Sequence, residues 1–172
     1  MRQTGFTLIE LMVVVSIAAI VLVFGIPAFT ASIKNSAVQT SSNTFFTALL
    51  LARSEAVKRN QPSVLCKSVD GASCTTSGNW ENGWLIYADA DADDTLDAGE
   101  EILQNYEALS SQVTLRSSNA SQANRLTYRP DGTITTAGAF RVCHGADTQW
   151  GRSVVISVTG RARRDDTVSS CP

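Results

Sequence analysis

The feature that most constrains the fold is an apolar run near the N-terminus. From Leu11 to Phe29 the only polar side chain is that of Ser16. At a rise of about 1.5 Å per residue, a helix over this run approaches the ~30 Å thickness of the hydrocarbon core of a bilayer. We therefore predict one membrane-spanning helix that is retained in the mature protein. The short polar segment before it, MRQTG, is predicted to be a cleavable leader.

One carboxylate, Glu10, stands at the start of this apolar run. Burying an unpaired carboxylate in hydrocarbon is costly, so the position calls for a partner. The segment GFTLIE, residues 5–10, resembles the processing site of type IV prepilins and type II secretion pseudopilins. The resemblance implies that a membrane aspartyl prepilin peptidase cuts after Gly5 and methylates the new N-terminus at Phe6. It also implies that Glu10 neutralises the N-terminal amine of a neighbouring subunit in the filament. A plain signal anchor with an incidental glutamate is the alternative.

A long helix is predicted to extend beyond the membrane segment. Gly25 and Pro27 are expected to interrupt it, because proline removes an intrahelical hydrogen bond. Beyond them, apolar residues recur at helical spacing and predict a stripe that packs on a sheet. The stripe comprises Ile33, Ala37, Phe45, Leu49, Ala52 and Ala56. The segment RNQP, residues 59–62, is expected to end the helix because the residue before a proline avoids the helical region.

The remainder of the chain consists of short β-rich runs separated by Gly, Asn, Asp and Ser. This spacing predicts an antiparallel sheet or a small sandwich. The runs are SVLCK, GWLIYAD, VTLRS, NRLTYRPDG, AFRVCHG and RSVVISVTGRAR. The motif W-x-x-G-W from Trp80 to Trp84, together with LTYRPDGT, resembles the GspH/FimT branch of minor pilins. The resemblance implies an α+β, pilin-like fold: a leader over 1–5, a helix over 6–60 and a periplasmic β-rich domain over 61–172.

The four cysteines allow three pairings. Proximity in the sequence favours Cys66 with Cys74 and Cys143 with Cys171. The resemblance implies a domain facing the periplasm, where disulfides form. A zinc site is disfavoured because the chain has no CxxC pair and a single histidine.

An acidic stretch, DADADDTLDAGE, has carboxylates at positions 1, 3, 5, 9 and 12 of a calcium-binding loop. The sixth position, Asp94, is a poor residue for the tight turn required there, and the flanking segments GWLIY and ILQNY are predicted strands rather than helices. A solvated hairpin loop is therefore the favoured interpretation, and weak calcium binding is the alternative. We assign no metal ligand and no cofactor from the sequence.

Charge is distributed unevenly along the chain. Residues 67–107 contain ten acidic side chains and one lysine, whereas residues 116–172 contain eight arginines and four aspartates. In the segment GRARR, Arg161 and Arg163 occupy alternate positions at the end of a predicted strand. Their guanidinium groups would then point to one side and contact successive phosphates, with Arg164 assisting. Alternatively, these arginines pair with Asp165, Asp166 or the acidic stretch.

The segment also resembles the GRxR element of FimT-type minor pilins of naturally competent bacteria, which bind DNA for uptake. An enzyme is disfavoured, since no nucleophile, general base or phosphate-binding loop is recognisable. The resemblance implies a minor pilin of the inner membrane and then of the pilus. Its partners would be other major and minor pilins, the prepilin peptidase, membrane lipid and double-stranded DNA. A purely structural, FimU-like initiator of the pilus and a GspH-like pseudopilin of type II secretion are the alternatives.

Overall fold

The computed structural model describes residues 7–171, with the side chains of residues 24 and 25 excepted. Gly5, Phe6 and the leader therefore lie outside the described residues. The chain divides into two compact units, residues 1–36 and 37–172. We describe each unit by itself.

A single helix, α1, runs from Leu8 to Arg59. Pro27 lies inside it and the helical assignment is continuous, so the expectation that Gly25 and Pro27 interrupt the helix is wrong. The backbone φ angle that the proline ring imposes is close to the helical value, and a long helix tolerates the loss of one hydrogen bond. The Thr30 hydroxyl also donates to the carbonyl of Pro27, at 2.9 Å.

In the first unit, α1 exposes large apolar side chains on every side. They include Leu11, Val15, Val21 and Phe29. In the described part of the chain, α1 is the one helix whose length and composition suffice to cross a membrane. Ile33, which was expected to begin the buried stripe, is 53% exposed.

The C-terminal end of α1 is set by Asn60 rather than by the proline that follows. Asn60 adopts a left-handed conformation with φ 53°, and the N–H of Gln61 donates to the carbonyl of Ala56 at 3.3 Å. This hydrogen bond closes a Schellman motif, in which asparagine is tolerated in place of glycine. The helix thus ends where the sequence predicted, but for a different local reason.

The second unit contains two four-stranded antiparallel sheets. In the first sheet the order is β3-β2-β1-β5, and in the second it is β4-β6-β7-β8. The strands are β1 Ser63–Lys67, β2 Trp84–Ala88, β3 Ile102–Tyr106, β4 Val113–Ser117, β5 Arg125–Tyr128, β6 Gly138–His144, β7 Asp147–Ile156 and β8 Ala162–Asp165. Each β-rich run of the sequence contributes to at least one strand.

The main core joins α1 to both sheets. Phe45 lies at its centre, with its ring centroid 5.4 Å from that of Trp84 in the first sheet and 4.6 Å from that of Phe140 in the second. Four of the six residues of the predicted stripe are fully buried: Phe45, Leu49, Ala52 and Ala56. Every buried residue of this core lies at or beyond Val38, so the second unit carries its own hydrophobic core.

Each sheet has a further segment against its outer face. On the first sheet this segment is a loop, and on the second sheet it is the C-terminal tail. On the first sheet, Leu96 packs against a second buried cluster that includes Tyr87. On the second sheet, the C-terminal tail is joined to β6 by the Cys143–Cys171 disulfide. The other disulfide, Cys66–Cys74, closes the loop after β1. Both pairings are those that sequence proximity favoured.

Candidate nucleic-acid interface

The arginine-rich segment follows a tight turn between β7 and β8. The N–H of Gly160 donates to the carbonyl of Ser157 at 2.8 Å, and the N–H of Ser157 donates to the carbonyl of Arg161 at 3.1 Å. The run RSVVISVTGRAR is therefore a hairpin rather than one strand, and Arg161 is the last residue of the turn. Because turn 157–161 reverses the chain, it lies at the end of the second sheet.

Turn 157–161 is packed against a second turn, residues 129–133. Gly160 has φ 72°, and a Cβ atom at this position would lie 1.8 Å from the carbonyl oxygen of Gly132. The N–H of Ile134 donates to the carbonyl of Val158 at 3.0 Å. Only glycine allows so close an approach of two backbones at a positive φ. The glycine of the GRARR segment thus fixes where its arginines lie.

Arg53 of α1 holds the two turns together. Its Nε donates to the carbonyl of Gly132 and its Nη2 donates to the carbonyl of Thr159, each at 3.0 Å. Sequence reasoning missed this residue, because its partners are 79 and 106 residues away along the chain. The local signal that could have identified Arg53 is a charged residue among the apolar residues of the packed half of α1.

The three arginines of the segment lie in different environments. Arg161 is exposed, and its guanidinium makes no hydrogen bond or ion pair with the residues that the structure describes. The side chain of Arg163 is 66% exposed, and its Nη1 lies 3.7 Å from a carboxylate oxygen of Asp165. Arg163 lies in β8, and Arg161 lies in the turn immediately before that strand.

Arg164 lies on the other side of the strand, toward α1. Its Nη1 donates to Oδ1 of Asn43, and its guanidinium carbon lies 5.3 Å from the centroid of the Phe46 ring. Its pairing with Val154 of β7 places it on the face of the sheet that packs against the helix. The sequence therefore predicted that Arg164 acts with Arg161 and Arg163, but in the structure its guanidinium contacts α1.

A further exposed arginine, Arg129, begins the partner turn 129–133. The N–H of Arg129 donates to the carbonyl of Thr133 at 2.9 Å, and its Nη2 lies 3.4 Å from the hydroxyl of Thr135. The contact between Gly160 and Gly132 brings its turn against the one that carries Arg161. Sequence reasoning missed Arg129 because it lies 32 residues before Arg161.

Glu10, the residue expected to act in assembly, also has a local role. The N–H of Glu10 donates to the Thr7 hydroxyl at 3.3 Å, and the N–H of Thr7 donates to a Glu10 carboxylate oxygen at 3.5 Å. This reciprocal pair is a capping box, which satisfies two N–H groups that have no partner within the helix. The signature T-x-x-E of this cap is visible in the sequence.

The acidic stretch forms the connection between β2 and β3. Asp94 has φ 62°, so it adopts the left-handed conformation for which we expected it to be a poor residue. Its carboxylate accepts a hydrogen bond from the Thr127 hydroxyl at 2.6 Å, and its carbonyl accepts one from Arg125, both on β5. These two contacts to β5 stabilise the left-handed conformation of Asp94, which the local sequence does not favour. Neither flanking segment is helical, as predicted.

An N-terminal helix whose apolar first half is followed by a second half packed on antiparallel sheets is the architecture of pilins and pseudopilins. The predicted α+β, pilin-like fold is confirmed. The family model described as Type II transport protein GspH matches residues 41–160, and the prokaryotic N-terminal methylation motif matches residues 1–26. The chain belongs to the GspH family, and it is a minor pilin or pseudopilin of a type IV pilus or a type II secretion system. Proteins of this class are structural and assemble with other pilins.

Solved structures support the same fold. The type IV minor pilin FimU of Pseudomonas aeruginosa is 22% identical with a TM-score of 0.60, and the match covers 78% of this chain and 95% of that chain. The minor pseudopilin EpsH of the Vibrio cholerae type 2 secretion system is 16% identical with a TM-score of 0.53, and the match covers 75% and 96%. A comparison with curated protein sequences returns no match.

Proposed function

We propose that this chain is a minor pilin of a type IV pilus and that it binds the backbone of double-stranded DNA through Arg161 and Arg163. The observation that carries the proposal is the exposure of both guanidinium groups beside a turn that is anchored to the rest of the fold. Guanidinium groups form charge-assisted, bidentate hydrogen bonds with phosphate. Contacts to phosphate bind DNA without selecting its sequence.

The arginines of this surface have distinct roles in the proposal. Arg164 supports β8 through Asn43 and Phe46 and does not contact DNA, which revises the expectation that it assists. Arg129 supplies a third contact from the partner turn. The ion pair of Arg163 with Asp165 is exposed, and exposed pairs contribute little, so phosphate can replace the carboxylate.

The proposal is tested by fluorescence anisotropy with the full chain in a nonionic detergent and two duplexes of unrelated sequence. We expect equal affinities for the two duplexes, in the micromolar range or weaker. Raising monovalent salt fourfold should weaken binding about tenfold for two phosphate contacts and about fortyfold for three. The double variant Arg161→Gln, Arg163→Gln should lose most of the binding.

Arg161→Gln and Arg163→Gln are also measured singly, and Arg125→Gln is the matched control for each. It removes one exposed arginine of β5, whose guanidinium donates to the acidic stretch rather than to either turn. Binding that does not respond to salt, or a double variant that binds as tightly as the parent, would contradict the DNA role. If Arg125→Gln lowers the affinity for DNA as much as Arg161→Gln does, the loss reflects only the change in net charge and not a specific contact.

We also propose the processing and placement that the N-terminal motif implies. The leader of residues 1–5 is cut by the prepilin peptidase, Phe6 is methylated, and residues 6–60 anchor the β-rich domain of residues 61–172 to the lipid of the inner membrane. A periplasmic position for this domain is supported by its two disulfides, since such bonds persist in an oxidising compartment. Glu10 then pairs with the N-terminal amine of a neighbouring subunit.

A purely structural minor pilin is the second candidate. It is favoured by contacts within the fold that already engage two arginines, Arg163 with Asp165 and Arg164 with Asn43. In this candidate the GRARR segment stabilises the end of the second sheet and no nucleic acid is bound. The anisotropy experiment separates the two, because only the DNA role requires salt-dependent binding of the parent chain.

A further inference from the structure

The acidic loop, residues 89–100, gathers carboxylates that have no cation partner in the described structure. Oxygen atoms of Asp89, Asp91 and Asp93 all lie within 4.8 Å of one another. None of these three, nor Asp97 or Glu100, forms an ion pair with a lysine or arginine among the described residues. Like charges at this spacing repel one another, so the arrangement is favourable only if something compensates them.

The loop is organised around one buried carboxylate. Asp89 is fully buried, and its two oxygens accept hydrogen bonds from the N–H groups of Ala92, Asp93 and Asp94 at 2.8, 3.2 and 3.0 Å. These bonds hold the carboxylate in one orientation. Oδ1 accepts two of them and Oδ2 accepts one, so Oδ2 keeps a lone pair for an ion. Glu100 folds back over the loop, accepting from the N–H groups of Ala90 at 2.8 Å and Asp97 at 3.1 Å.

A second observation, independent of the acidic loop, points to the same place. Tyr87 is fully buried, and its hydroxyl has no hydrogen-bond partner among the described residues. Tyr87 and Asp89 lie two positions apart, which places them on the same face of the strand, and Leu96 of the loop packs on the cluster to which Tyr87 belongs. In the first sheet β1 lies between β2 and β5, and Asp94 of the loop bonds to Thr127 of β5, so the loop crosses the sheet face on which the Tyr87 side chain lies. A buried hydroxyl without a partner is costly unless a ligand or its bound water completes the site.

We propose that the acidic loop is a calcium site, in which Asp89, Asp91, Asp93 and Glu100 supply carboxylate oxygens and the hydroxyl of Tyr87 donates to a water or carboxylate of the bound ion. Calcium takes six to eight oxygen ligands in flexible geometry, which a loop of carboxylates and carbonyls can supply. The spacing of the carboxylates is that of a helix–loop–helix calcium loop, but here the loop joins two strands. The left-handed Asp94 replaces the glycine of such loops, and its bonds to β5 hold it in that conformation.

The site would add a further constraint to a loop that its bonds to β5 already anchor. A bound ion would neutralise the repulsion among the carboxylates and fix the loop over the outer face of the first sheet. It would therefore stabilise the folded chain in proportion to calcium concentration. Its affinity is expected to resemble that of extracellular calcium modules, with a dissociation constant on the order of 10⁻⁴ M.

The test uses the full chain in a nonionic detergent, freed of metal with a chelator. Calcium chloride is titrated by calorimetry, and thermal unfolding is followed with and without 1 mM calcium, a chosen concentration of about ten times the expected dissociation constant. We expect one calcium ion per chain and an unfolding midpoint raised by about 5 °C. The absence of both the binding heat and the shift would overturn the proposal. Equal stabilisation by magnesium would overturn the assignment to calcium.

Two variants make the test specific to the site. Asp91 is exposed and makes no hydrogen bond among the described residues, so Asp91→Asn should leave the fold intact and weaken calcium binding at least tenfold. Tyr87→Phe, which removes only the unpartnered hydroxyl, should weaken it several-fold. Glu107→Gln removes an equally exposed carboxylate outside the loop and should bind calcium as the parent does. Parent-like affinity of Asp91→Asn would contradict the proposal.

Discussion

Replacing Gly160 with alanine tests whether the docking of the two turns is what positions the arginines. The added Cβ would lie 1.8 Å from the carbonyl oxygen of Gly132, and the alanine would have to adopt φ 72°. The left-handed conformation alone costs alanine about 1 kcal/mol. Because the clashing atom belongs to the backbone, no side chain can move aside to relieve it.

The turns must therefore separate, and two hydrogen bonds depend on their contact. One joins the N–H of Ile134 to the carbonyl of Val158, and the other joins Arg53 to the carbonyl of Thr159. Each contributes about 1 kcal/mol, so we expect Gly160→Ala to lower the free energy of unfolding by about 3 kcal/mol. With a slope of about 2 kcal/mol per molar urea, the unfolding midpoint should fall by about 1.5 M.

The assay is urea unfolding of the full chain in a nonionic detergent, followed by the fluorescence of the buried Trp80 and Trp84. Gly145→Ala is the matched control, since Gly145 has φ 58° and nothing within 4 Å of the added Cβ. It carries the backbone strain without the clash and should cost about 1 kcal/mol. If Gly160→Ala is no more destabilising than Gly145→Ala, the two turns are not docked as described and the argument fails.

Two further predictions concern the N-terminus and the tail. Glu10→Gln keeps the capping box with Thr7, because glutamine serves as well as glutamate in that motif, but it removes the charge. Impaired incorporation of Glu10→Gln into filaments, measured by immunoblotting of sheared pili, is expected; normal incorporation would show that Glu10 acts only as a cap. Loss of the Cys143–Cys171 disulfide, which spans 28 residues, should lower the free energy of unfolding by about 3.5 kcal/mol. Urea unfolding of the Cys143→Ser, Cys171→Ser variant measures this cost, and an unchanged midpoint would contradict it.

Much of the fold was predictable because its signals are local. The apolar run beginning at Leu11, the stripe from Phe45 to Ala56 and the alternating runs of the β-rich part each follow from the period of one element. The continuity of α1 through Pro27 was not predictable in this way. Proline destabilises a helix interior by rule, and whether a long helix absorbs that loss depends on everything bonded around it.

In the candidate site, too, the residues identified by local sequence pattern differ from those that only the tertiary structure identifies. Sequence identified Arg161 and Arg163 because strand alternation relates neighbours in the chain, and it placed Arg164 with them because all three are adjacent. Only the folded chain separates Arg164, whose Asn43 partner is 121 residues away, and adds Arg129 and Arg53. In the acidic loop the sequence supplied the carboxylates and their spacing, but the conformation of Asp94 depends on β5.

The amino-acid sequence by itself determined the membrane-length helix, the capping residues at both ends of α1, the positions of the strands and the pairing of Cys66 with Cys74. Each of these depends on interactions among residues a few positions apart, which any window of the sequence contains. The tertiary structure alone decided that turns 129–133 and 157–161 meet, and that one arginine of α1 bonds to both. Such contacts arise only when distant segments bury a common core. The close approach of Gly160 to Gly132 is therefore a consequence of packing that no local pattern contains.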